Sequence, residues 1–244
     1  MPRPYEFITF PVPALDMKGD AYIAREACAA WRLICIPGAP SQKYLFKRLL
    51  NLRPKSLEMV VVNRLGYGKS HEQPVLDFNA QAKIIEPFLG EKRTLLLGIS
   101  YGGAIALTAA LNYQDNIEGV ITGAALIDEP RQYAKAIVDF ENLKVLDPIL
   151  PRRYQHMREE IKGRRAQIGP LLAKLKGLNI PIEVLHGTLD NVVGKDNAKT
   201  LLAAAGDNAH YTEIIGGTHF LETQMPGQIL EAVDRVIKRI ESSA

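Results

Sequence analysis

The sequence predicts one α/β domain built on a mainly parallel sheet. Three observations carry that expectation. Short apolar runs alternate with helix-patterned stretches along most of the chain. With 244 residues, the chain is long enough for one sizeable domain with its own core. Its 47% apolar and 23% charged residues match a folded globular protein and exclude collagen-like or disordered classes.

Taken in order, "FITF", "AYIAREA" and "WRLICI" read as three strands joined by short turns, so the sheet is expected to begin antiparallel. "SQKYLFKRLLNL" is helix-patterned and leads to the strand "MVVV" at 59–62, and "NAQAKIIEPFL" leads to "TLLLG" at 94–98. "AIALTAALN" reads as a helix, and "GVITGAALID", "IPIEVLHG" and "YTEIIGG" as strands six to eight. Ile229, Leu230, Val233, Val236, Ile237 and Ile240 recur at helical spacing and predict a closing amphipathic helix from Gly227 to Ile240.

About fifty residues after Asp128 break the alternation. Tyr154, Met157, Ile161, Ile168, Leu171, Leu172 and Leu175 fall at spacings of three, four and seven, with Gly163 and Gly169-Pro170 as expected interruptions. An insertion of this size predicts a helical cap at 129–180 on a core of 1–128 and 181–244. Residues 151–180 carry eight basic side chains (Arg152, Arg153, Arg158, Lys162, Arg164, Arg165, Lys174, Lys176) against Glu159 and Glu160, although the whole chain is only +3. A basic cap would attract an anionic small molecule, while a solvated helix face explains the same charge. The overall charge is too small for a nucleic-acid footprint, and no run approaches the roughly 18 apolar residues of a membrane span. With no secretory signal pattern, a cytoplasmic location is expected. Cys28 and Cys35, without zinc or redox spacing, read as two small buried hydrophobes.

The chemistry centres on "LGISYGG" at 97–103, which fits G-x-S-x-G between a strand and a helix. A serine hydroxyl becomes a useful nucleophile when it is held out toward substrate and a base takes its proton. A sharp turn holds Ser100 out, and Gly98 and Gly102 leave it room. The helix that follows directs free N–H groups at the site, with the Tyr101 N–H placed for a developing oxyanion. In this architecture an acid and then a histidine follow the serine along the chain. "IEVLHGTLDNVV" supplies Asp190 and "EIIGGTHFLE" supplies His219, each in a loop at a strand's carboxyl end, where open α/β sheets bind ligands. Asp128 of "LIDEP" is the rival acid. His186 reads as support for Asp190, and His71, His156 and His210 as surface or cap residues.

These segments together resemble the α/β-hydrolase family over nearly the whole chain: GISYG, "HGTLD" at 186–190 for the acid loop, "GGTHF" at 216–220 for the histidine loop, "NRLGYGKS" at 63–70 for a turn usually written D-x-R-G-x-G-x-S, and "IPGAP" at 36–40 where members carry H-G-x-P. The resemblance implies an eight-stranded, mostly parallel sheet flanked by helices. It makes Ser100 the nucleophile, Asp190 the residue orienting His219, His219 the general base, and the N–H groups of Ala39 and Tyr101 the oxyanion hole. No cofactor or metal is implied. Pro37 stands in place of the usual histidine, which removes a side-chain support of the oxyanion loop. Asn63 stands in place of the aspartate, and its amide is expected to bond to nearby backbone. The expected activity is cleavage of an ester or related acyl bond. A carbon–carbon bond hydrolase of dienoic acids, a thioesterase, an acyltransferase and a ligand receptor on the same fold are the alternatives.

Overall fold

The computed structural model describes residues 4–70, 73–127 and 150–243. Eight strands form one sheet: β1 (Glu6–Val12), β2 (Met17–Ala24), β3 (Trp31–Ile36), β4 (Leu57–Val62), β5 (Arg93–Ile99), β6 (Ile117–Gly123), β7 (Ile182–Gly187) and β8 (Ala209–Ile214). Their order is β1-β2-β4-β3-β5-β6-β7-β8. β1 and β2 pair antiparallel, β2 meets β4 antiparallel, and β3 to β8 with β4 are parallel throughout. β2 and β3, consecutive in sequence, are thus separated by β4 rather than paired.

The helices are α1 (Lys47–Leu52), α2 (Phe78–Ala82), α3 (Tyr101–Asn112), α4 (Arg152–Gly163), α5 (Arg165–Lys174), α6 (Asp196–Ala205), α7 (Leu221–Gln224) and α8 (Pro226–Ser243). They cover both sheet faces, and the period of two in the strands sorts the core accordingly. Ile34, Ile36, Val60 and Leu96 face α2, α3, α5 and α6. Leu33, Cys35, Met59 and Leu97 face α1 and α8. Each such side chain, fully buried, contributes roughly 1.5–3 kcal/mol. Strands covered on both faces therefore read as continuous apolar runs.

Several expectations shift. "GVITGAALID" does not stay a strand to its end: β6 stops at Gly123 because Ala124 turns the chain at φ 48°. The stretch 41–52 begins with a tight turn at Lys43–Phe46 before α1, and 79–89 passes into another at Lys83–Phe88, which contains Pro87. Gly163 ends α4 as expected, but α5 runs through Gly169-Pro170, held by Ile168 and Leu171 in the core. Asn63 bonds to the Asp20 carboxylate on β2 at 2.7 Å rather than to local backbone, and Asp20 also accepts from the Lys69 N–H at 2.7 Å. Cys35 is buried, whereas Cys28 is exposed in the turn before β3. Asp128, His71 and residues 129–149 of the expected cap lie outside the described residues. Among the described residues no helix is long and apolar enough to cross a membrane.

Candidate active site

β5 ends in an elbow. Ser100 has φ 53° and ψ −120°, a conformation that an L-residue keeps only when its surroundings enforce it. The enforcement is visible on both sides. Ser100 N–H donates to the Gly123 carbonyl at 2.9 Å, and its own carbonyl accepts from Gly103 at 2.9 Å and Leu126 at 3.1 Å. A Cβ on Gly98 would lie 2.4 Å from the Gly102 oxygen, and one on Gly102 would lie 2.2 Å from the Ile36 oxygen. Only glycines let strand, elbow and helix approach so closely.

Asp190 and His219 reach the same edge from the ends of β7 and β8. The acid loop is tied to the histidine loop through Thr188 N–H to Ile214 O at 3.0 Å and Leu189 N–H to Gly217 O at 2.8 Å. Asp190 Oδ1 accepts from the N–H groups of Val192 (2.8 Å) and Val193 (2.9 Å), and Oδ2 meets His219 Nδ1 at 3.0 Å. Burial alone would raise the Asp190 pKa. The His219 contact and the two N–H donors outweigh it and hold the carboxyl below its usual value. An ionised acid can only accept, so Nδ1 is the donor in this contact, and in the neutral ring the lone pair is then on Nε2.

His186, fully buried, donates from Nε2 to the Val193 carbonyl at 3.0 Å and so braces the turn that presents Asp190. Burial lowers its pKa and keeps it neutral. His156 is not a surface residue: buried on α4, its Nδ1 donates to Gly66 O at 2.8 Å. His210 sits beside Glu183 on β7 at 3.1 Å, away from the site.

Ser100 and His219 line one cavity of about 350 Å³, whose walls include Pro37, Gly38 and Ala39 opposite the elbow and Tyr154, Met157 and Ile161 of α4. A larger hollow of about 570 Å³ between α2, α3 and α5 contains none of the predicted site residues. The Gly38–Ala39 segment runs against the serine: a Cβ on Gly38 would lie 3.0 Å from Ser100 Cβ and 3.6 Å from its Oγ. Tyr101 is the first residue of α3, so its N–H belongs to the set a helix leaves unpaired.

Sequence reasoning missed the support behind that loop. Arg64, 0% exposed, donates from Nε to Pro37 O (3.0 Å) and from Nη2 to Gly38 O (3.0 Å). Its guanidinium lies 4.6 Å from the Tyr101 ring centre and 5.0 Å from that of Tyr67. Beyond them it forms a two-pronged pair with Glu160 of α4, one prong at 2.9 Å, and Tyr67 Oη donates to the same carboxylate at 2.6 Å. Glu160 holds the Arg64 pKa above its usual value although burial acts the other way. In a planar trans peptide the C=O and N–H point in opposite directions. Arg64 therefore grips the back of the peptide that presents the Ala39 N–H. The hint was present in "NRLGYG": arginine stands one place early, and Leu65 has the position that the family pattern gives to arginine.

None of the eight basic side chains of 151–180 lines the cavity. Arg152, Arg153, Arg165, Lys174 and Lys176 are exposed, Lys162 is half-buried, and Arg158 and Arg164 are buried elsewhere. Glu222, three residues after His219, does line it; no local pattern marks it, because only burial makes the position unusual. Among the described residues no three His, Cys, Asp or Glu side chains are grouped to hold a metal ion.

A family model described as alpha/beta hydrolase fold matches residues 32–157. The proline iminopeptidase of Thermoplasma volcanium is 27% identical over 147 residues, covering 55% of this chain and 47% of that protein. The chain thus spans about half or less of the length of the curated relatives it matches. A haloalkane dehalogenase from Bradyrhizobium elkani superposes with a TM-score of 0.77 at 15% identity, over 99% of this chain and 100% of that one. A thermophilic esterase from Thermogutta terrifontis gives 0.67 at 15% identity, over 96% and 99%. Likeness at such identities establishes the fold.

Proposed function

The chain belongs to the α/β-hydrolase family, and from that premise we propose that it is a serine hydrolase that cleaves a carboxylic ester or related acyl bond through an acyl-enzyme. The observation that carries this reading is the Asp190–His219 contact at 3.0 Å, with His219 sharing one cavity with a serine held on a strained elbow. His219 Nε2 takes the Ser100 proton as Oγ attacks the acyl carbon, and Asp190 stabilises the imidazolium that forms. The Ala39 and Tyr101 N–H groups bind the oxyanion, with Arg64 holding the first of them in place. Protonated His219 then gives its proton to the leaving group, and a water activated by the same nitrogen releases the acid and restores Ser100. Residues 129–180 form, in this reading, a cap whose helix α4 supplies one wall of the acyl cavity. Amide bonds yield to the same sequence of steps, and the curated relative is named as a peptidase.

Fluorophosphonate labelling followed by peptide mapping tests the assignment. The label is expected on Ser100, with turnover of short p-nitrophenyl esters lost by about three orders of magnitude or more in Ser100→Ala. A folded wild-type protein that takes no label overturns the mechanism. A burst without steady turnover would point instead to a receptor on the same fold.

A further inference from the structure

Glu222 is the charged side chain of the cavity that the proposed mechanism leaves unused. It is 3% exposed at the start of α7 and lines the same cavity as Ser100 and His219. Its Oε2 is enclosed and has no hydrogen-bond partner, and no ion pair reaches the carboxylate among the described residues. Around it the lining is largely apolar, with Leu45, Ile99, Leu126 and Val192, and it holds no lysine or arginine. Burial pushes the carboxyl up to about 7, as expected of an acid kept from water without a counter-charge. Buried carboxylates are normally paired, because an isolated one is strongly disfavoured. Here the described residues supply no counter-charge within ion-pair distance, and the side chain is part of the lining of the substrate cavity.

We propose that Glu222 is a recognition residue for substrates that carry a primary or secondary ammonium group. The N–H donors of such a group would satisfy the carboxylate, and its charge would remove the penalty of burying it. A substrate ending in a carboxylate would meet like charge instead, and a plain alkyl group would leave the penalty in place. The ammonium could sit on the acyl part or on the leaving group; both have the same chemistry at Glu222. This inference rests on reading the cavity as the substrate site, so its test must fail separately from that reading.

The rate of fluorophosphonate labelling at Ser100 is measured at about pH 8 in the presence of n-butylamine, 1-butanol or butyrate. Butylamine is expected to protect the wild type at concentrations about tenfold or more below those of the other two. Glu222→Gln, nearly identical in shape, is expected to erase that difference. Matched p-nitrophenyl 4-aminobutyrate and 2-aminoethyl butyrate, compared with their uncharged analogues, then report which side carries the ammonium. Equal protection by amine and alcohol overturns the inference, as does an amine preference that survives Glu222→Gln. If Glu222→Gln slows butyl esters and amino esters alike and amines protect neither protein, the carboxyl acts through His219 and the inference also falls. Thermal stabilisation by butylamine, present in the wild type and absent in Glu222→Gln, reads the same binding without Ser100. Loss of labelling in a folded protein would therefore count against the serine mechanism and not against the amine site.

Discussion

Asp190 and Glu222 are two carboxyls beside one imidazole, and their surroundings drive them in opposite directions. Asp190 is buried with a histidine and two backbone donors on its oxygens, and its pKa falls. Glu222 is buried with no partner on Oε2, its own backbone N–H and the nearby His219 do not offset the burial, and its pKa rises to about 7. The signs of their pH effects follow from linkage. Asp190 contributes stability above its unfolded value, and that contribution is lost as pH falls through its depressed folded value. For Glu222 the folded state binds the proton more tightly than the unfolded chain, so stability declines as pH rises from about 4.5 through 7. Above that window the ionised, unpaired carboxylate costs about 3 kcal/mol. Glu222→Gln should therefore match the wild type in urea unfolding near pH 5 and exceed it by an amount of that order near pH 8.5. A variant that gains nothing between those two values would show that the carboxylate is already compensated. Ser100, Asp190 and His219 were legible because each stands in a loop directly after an aliphatic run, with glycines marking the turn. Glu222 was not, since its meaning lies in what surrounds it and does not touch it.

At the scale of elements, the site depends on how closely β3, β5 and α3 approach. Gly102 sits where its missing side chain would overlap the Ile36 oxygen at 2.2 Å and the Pro37 oxygen at 2.6 Å. Both carbonyls belong to the end of β3 and the loop that carries Ala39, so a methyl group there must push the Gly38–Ala39 loop from the elbow. Gly102→Ala should lose about 2–4 kcal/mol of stability and, under the proposed mechanism, nearly all turnover of a p-nitrophenyl ester, read by denaturant unfolding and by kcat. A variant with wild-type kcat would mean that the loop can retreat without consequence, contrary to the packing. The local sequence announced this element well, because a G-x-S-x-G turn is legible residue by residue. Other elements resisted. Pro170 lies inside α5, which tertiary packing of Ile168 and Leu171 preserves. β6 stops early at Ala124, whose positive φ has no glycine or asparagine to advertise it. α6 escaped notice although "DNAKTLLAAA" is rich in helix formers.

Across the whole molecule, α4 is joined to the loops at the sheet's edge by unlike contacts, two of which matter here beside the His156–Gly66 hydrogen bond. One is a small apolar cluster of Leu126, Ile161 and Val193, flanked by Met157 and Val192. The other is the buried pair of Glu160 with Arg64, which reaches through the guanidinium to the Pro37 and Gly38 carbonyls. The two main cores on the sheet faces are far larger, so α4 is expected to open before the sheet does. Removing one partner of a buried ion pair leaves the other charge uncompensated, and the effect is commonly about 3–5 kcal/mol. Glu160→Gln keeps the shape and one acceptor, so part of that loss should fall on the local opening of α4 and part on the aim of the Ala39 N–H. Trypsin supplies the readout, because Arg158 is 3% exposed and out of reach until α4 opens. When reclosing outpaces cleavage, cutting follows the population of the open form. Cleavage after Arg158 should rise by about tenfold or more in Glu160→Gln while the peptides of β3 to β6 stay protected, and kcat for a p-nitrophenyl ester should fall with little change in KM. Faster cutting with an unchanged kcat would confine Glu160 to holding α4. Uniformly faster cutting of all peptides would make the pair a support of the global fold instead of a link between α4 and the Gly38–Ala39 loop.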